Sequence, residues 1–115
     1  MPDVCEIEIR SMRPETLATL RARIVGAAKD GRPLLFDLRG ADPSCLQYTT
    51  GFVSMIRDEA DALASARTIA IVAKDEWVRV ALKTAMALTP RVAEHIVTRH
   101  YAKARAFCAG GQTVA

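Results

Sequence analysis

The sequence predicts an α/β protein, with four strand-helix turns and a mainly parallel sheet flanked by helices. Three observations carry this. The hydrophobic period switches repeatedly between short runs and the wider spacing of amphipathic helices. Two of the short runs, "PLLFDLR" and "RTIAIVA", are nearly continuous in apolar residues, as strands covered on both faces are. Their regular alternation with helical segments makes each connection a crossover between parallel strands. With 115 residues, 50% apolar and 25% charged, the chain has the length and composition of one domain with its own core. Residues 1–110 are read as that domain and 111–115 as a short tail.

The elements follow in order. "DVCEIEIR" (about 3–10) alternates and reads as a strand with one acidic face. In "RPETLATLRARIVGAA", Pro14 suits a first helical turn, Glu15 suits the helix dipole, and Leu17, Leu20, Ile24 and Ala28 share a side; Asp30-Gly31 stops it. "PLLFDLR" (about 33–39) is a strand from mid-sheet. A helix follows in which Phe52, Ile56, Ala60 and Leu63 share a face, ending near Ser65. "RTIAIVA" (about 67–73) is a second buried strand. Lys74-Asp75 opens a helix from Glu76 to about Leu88, with Trp77, Ala81 and Ala85 on one row, Val78 and Leu82 beside them, and Thr89-Pro90 at its end. "VAEHIVT" is a fourth strand, whose Glu94 and His95 mark an exposed edge. Thr98 caps a last helix, "RHYAKARAFC", closed by Gly110-Gly111.

The bulk properties exclude several classes. The longest apolar run, Ile69 to Ala73, is far short of the roughly 20 residues of a membrane span. The first ten residues lack the pattern of a signal peptide, so the expected compartment is the cytoplasm. Cys5, Cys45 and Cys108 are odd in number and far apart, which argues against a disulfide framework or a zinc site. Positive charge is concentrated late: residues 1–73 hold nine Lys/Arg against ten Asp/Glu, and residues 74–115 hold seven against three. This modest bias is read as a solvated helix surface, with no nucleic-acid partner. Self-pairing through the edge near His95, as a homodimer, is left open.

No phosphate-loop, dinucleotide, zinc-protease or nucleophile-elbow motif is present, and neither His95 nor His100 has a sequence-visible partner for catalysis. No enzyme activity, metal or cofactor is expected. In a parallel sheet, ligands or partners meet the loops after the strands, here Gly40–Thr50, Lys74–Trp77 and Thr98–His100. Asp37 could in principle accept phosphate with Lys74 as counter-charge, but the acidic pair that would hold Mg²⁺ after the first strand is missing from "EIRSMRP". Its plainer role is to bond loop amides and fix the turn through Gly40. Trp77 is read as core.

"LLFDLRGAD", two hydroxyls with a glycine opening a helix, "RTIAIVAKDEWVRVAL" and "YAKARAF" together resemble the STAS domain and the wider SpoIIAA-like group of bacterial anti-sigma-factor antagonists, over about residues 4–108. The resemblance implies a non-catalytic regulatory module that binds a protein partner, an anti-sigma-factor kinase, and is switched by phosphorylation of a hydroxyl at a helix start. Asp37-Leu38-Arg39-Gly40 matches the strand-end motif, and Thr49-Thr50-Gly51 is the candidate acceptor segment. The interval between the two is about three residues longer than in the family, and Tyr48 replaces the acidic residue. Ser44 is a third acceptor candidate beside Thr49 and Thr50. A second alignment starts the helix at Asp42-Pro43-Ser44, with Asp42 as N-cap and Pro43 in the first turn, which puts Thr49 and Thr50 inside the helix and leaves no acceptor. That version resembles the SpoIIAA-like branch without a phosphoswitch, whose members include binders of small apolar or lipid-like molecules. Its pocket would lie between the Phe52 helix and the Trp77 helix, with Phe52, Ile56 and Trp77 as candidate lining. Gly51, unfavourable in a helix interior by about 1 kcal/mol, votes for a start near Thr50. The partner-binding loop comprises Asp37, Gly40, Asp42 and Gly51.

Overall fold

The computed structural model describes residues 4–10, 13–41, 46–88 and 94–109. Four strands, β1 (Cys5–Glu8), β2 (Leu34–Asp37), β3 (Ile69–Val72) and β4 (His95–Thr98), form one sheet in the order β1-β2-β3-β4. Every neighbouring pair is parallel, and Glu8, Asp37, Val72 and Thr98 stand in one register row at the carboxyl end. The α/β class and the four strand-helix turns are therefore as the periodicity predicts. Helices α1 (Pro14–Lys29), α2 (Leu46–Asp58) and α4 (Glu76–Leu88) make the three crossovers, a single turn α3 (Ala60–Leu63) follows α2, and α5 (Tyr101–Cys108) comes last.

Because the strand order follows the chain, successive crossovers of one hand lay their helices on the same face. Leu17, Ile24, Phe52, Ile56, Leu63, Val78 and Leu82 accordingly pack with Ile7, Leu34, Phe36, Ile69 and Ile71 in the main core. The rings of Phe36 and Phe52 meet edge to face at 5.6 Å. On the opposite face, Leu35, Ala70 and Val72 are covered by Ala104, Phe107 and Cys108 of α5. Alternation along each strand thus feeds two unequal cores.

Local signals account for several element ends. Pro14 occupies the first turn of α1. At its other end Gly31 takes φ +73°, and the amides of Gly31 and Arg32 donate to Ala28 and Ala27 at 3.0 and 3.1 Å, the paired bonds of a glycine-terminated helix. Arg79 donates to the carbonyls of Ala73 and Lys74 at 3.0 and 2.7 Å and so closes the turn between β3 and α4.

Four expectations need correction. The single helix read to Ser65 is broken at Glu59, where the backbone leaves the helical region (φ −102°, ψ 19°). The cap of α5 is His100 and not Thr98, although Thr98 Oγ1 accepts the His100 amide at 3.1 Å. Trp77 is 41% exposed, because the buried face of α4 runs through Val78, Leu82, Ala85 and Met86, and Trp77 lies a quarter-turn to its side. Lastly, α2 is already helical at Leu46, so Gly51 is interior: packing of Phe52, Met55 and Ile56 overrides its poor propensity. Asp42, Pro43, Ser44 and Cys45, the closing Gly110-Gly111 and the tail lie outside the described residues.

Candidate functional site

Two places merit construction from their residues: the carboxyl ends of the strands, and the helical face. At the first, β2 delivers Asp37, 7% exposed, to the rim of the sheet. Both of its oxygens are engaged by Arg39, Oδ1 by Nε at 2.9 Å and Oδ2 by Nη2 at 2.8 Å, and Oδ1 also accepts the Arg39 amide at 3.1 Å. The Arg39 guanidinium holds the Asp37 carboxyl below the ordinary carboxylate range, against the opposing effect of burial. A carboxylate clamped in this way fixes the turn into Gly40, with three of its roughly four lone-pair sites taken by Arg39.

Arg39 also lies over the Tyr101 ring, 4.4 Å from its centre. Tyr101 donates its hydroxyl to Glu6 at 2.6 Å, and Arg105 donates to the same Glu6 oxygen at 3.2 Å. The bond to Glu6 raises the Tyr101 phenol above its usual range. This chain of charges joins β1, the end of β2 and α5, and two carboxylates are answered by two guanidinia. It is a closure between elements, electrically balanced, and offers no unclaimed acid or base.

The helical face is different. Between α2 and α4 runs a groove of about 300 Å³. Thr50, Val53 and Arg57 line it from α2, and Ala81, Thr84, Ala85 and Leu88 from α4. Val53 and Arg57 stand three and seven residues after Thr50, so one stripe of α2 faces the groove while Phe52 and Ile56 face the sheet. On α4, Ala81, Thr84 and Leu88 recur at helical spacing along the same space, and Val80 (56% exposed) and Leu88 (77%) join Trp77 as the large apolar residues left to solvent among the described residues. On its other side α2 meets α1 across a smaller groove of about 180 Å³, where Arg21 is tied to Glu59 at 2.8 Å.

The expected pocket between the Phe52 helix and the Trp77 helix therefore has a counterpart, with different walls. Phe52 and Ile56 are buried in the core, Trp77 is exposed one turn before Ala81, and none of the three candidates is among the residues that line the groove. Thr50 is exposed and lies on the groove wall, in the second turn of α2. Thr49 belongs to the first turn of the same helix, and Ser44 lies outside the described residues. Gly51 faces α1, where a Cβ would sit 4.0 Å from Leu17 Cδ1. Sequence reasoning missed Arg57, Val53, Ala85 and Leu88; the available signal was their spacing from Thr50 and Trp77. It also missed Tyr101 and Arg39 as partners, which no local pattern announces.

Among the described residues no three His, Cys, Asp or Glu side chains converge as a metal site would require, and no helix is long and apolar enough to cross a membrane. Burial pushes the Cys108 thiol up, and its Sγ donates to the Leu34 carbonyl at 3.5 Å. No protein-family model, curated protein or solved structure matches the chain.

Proposed function

We propose that this chain is a non-catalytic binding module of the SpoIIAA-like kind that takes a small apolar ligand in the α2–α4 groove. The observation that carries this reading is the groove itself: about 300 Å³, at the lower end of the range for small-molecule sites, and lined mainly by carbon. The position of Thr49 and Thr50 within α2 favours the alignment without an acceptor at the helix start. Native mass spectrometry of the freshly purified protein tests it. A second species heavier by a small molecule, released on denaturation, is the expected result; the bare chain alone, unresponsive to added apolar ligands, would remove the reading.

Exposure of Thr50 on the groove wall favours a second reading, a STAS-like module that docks a protein partner such as an anti-sigma-factor kinase and is released by phosphate on that hydroxyl. Incubation with kinases of the host and mapping of phosphate by mass spectrometry separates the two. A chain that stays unmodified, with Thr50→Glu binding every partner unchanged, would dispose of the switch.

A further inference from the structure

The α2–α4 groove is electrostatically one-sided. Arg57 lies on its wall, no acidic residue lines it among the described residues, and there Arg57 makes no ion pair or side-chain hydrogen bond. The two acids that directly follow it in sequence are directed elsewhere: Asp58 lines the opposite groove, and Glu59 is held by Arg21. A guanidinium beside apolar walls is matched by a carboxylate, which it can bind through two parallel hydrogen bonds.

The length of the site follows from the helices. Both α2 and α4 leave the carboxyl ends of parallel strands and run back along the sheet, so Arg57 and Leu88 mark one end of the groove and Thr50 and Ala81 the other. Seven residues of helix separate these ends, or about 10 Å. Between them Val53 and Ala85 present hydrocarbon, and the Thr84 hydroxyl donates to the Val80 carbonyl at 2.9 Å, which lowers its polar demand. An extended chain of that span is of medium length.

Resting on the small-ligand reading above, we propose that the groove binds a free medium-chain fatty acid, its carboxylate on Arg57 and its hydrocarbon laid along Val53 and Ala85 toward Ala81. Trp77, the single tryptophan, stands one turn before Ala81, so its fluorescence reports binding without a label. Decanoate, decanol and decylammonium, each below its aggregation concentration, are titrated against the full chain. Decanoate should bind roughly tenfold more tightly than decanol, a difference of one decade in Kd. Arg57→Gln should erase that preference, Arg57→Glu should transfer it to decylammonium, and Ala81→Phe should weaken all three with the far-ultraviolet circular dichroism unchanged. Equal affinity for decanol and decanoate, or a preference that survives Arg57→Gln, overturns the carboxylate assignment and leaves the apolar groove standing. No response to any of the three overturns the groove reading together with it.

Discussion

The two faces of this four-stranded sheet are closed by different means. Against one, side chains of α1, α2, α3 and α4 meet Ile7, Phe36 and Ile71, and the seal is hydrocarbon. Against the other lies a single helix of eight residues, and toward β1 the closure is a chain of charges through Arg105, Glu6, Tyr101, Arg39 and Asp37. Buried apolar area contributes in proportion to its extent, whereas partly exposed charge pairs contribute little singly. Global stability should therefore be concentrated on the first face, and dependence on pH on the second.

The sharpest way to break that contrast is Phe52→Ala. Phe52 is fully buried, packs edge to face on Phe36, and ties α2 to the sheet, so its loss removes transfer energy and leaves a cavity. Unfolding in urea should show a loss of about 4 kcal/mol. A loss below about 1 kcal/mol would mean that the helical face is not where stability resides.

The same contrast explains what sequence reasoning could reach. Hydrocarbon closure is periodic: Leu17, Ile24 and Ala28, or Val78, Leu82 and Met86, recur at helical spacing, and the alternation of "CEIE" survives as buried and open sides of β1. Polar closure has no period. Glu6 and Tyr101 are 95 residues apart, and nothing in either neighbourhood indicates that they bond. Trp77 failed for a related reason, since composition favours burying tryptophan while the helix phase, set by Val78 and Leu82, turns it outward. The groove was legible as a pair of helices; its lining required knowing which stripe each presents.

Asp37→Asn tests the polar face next. The substitution keeps the shape but loses the charge-assisted bonds to Arg39, whose partly exposed guanidinium can turn to water. The expected loss at neutral pH is about 1–2 kcal/mol. Asp37 is more acidic in the folded protein than in the unfolded chain, so its contribution is present above about pH 4 and disappears as pH falls through the lower folded value. Urea midpoints of the two proteins measured from pH 7 downward should converge below that region. A gap that persists in strong acid would assign the effect to packing and not to charge.

Tyr101→Phe carries the smallest effect and the cleanest one, because the phenylalanine ring still lies under the Arg39 guanidinium while the hydroxyl bond to Glu6 is gone. Partial exposure of both groups limits the loss to about 1 kcal/mol. The phenol titrates higher in the folded protein than in the unfolded chain, chiefly because it donates to Glu6. Its contribution is therefore complete below about pH 10 and fades as pH rises through the folded value. Wild type should thus fall toward Tyr101→Phe in alkaline solution, just as it falls toward Asp37→Asn in acid, while Phe52→Ala stays displaced at both extremes. Parallel alkaline curves for wild type and Tyr101→Phe would place the weight of this face on Phe107 and Cys108 instead of on its charges, and the two faces would then differ only in area.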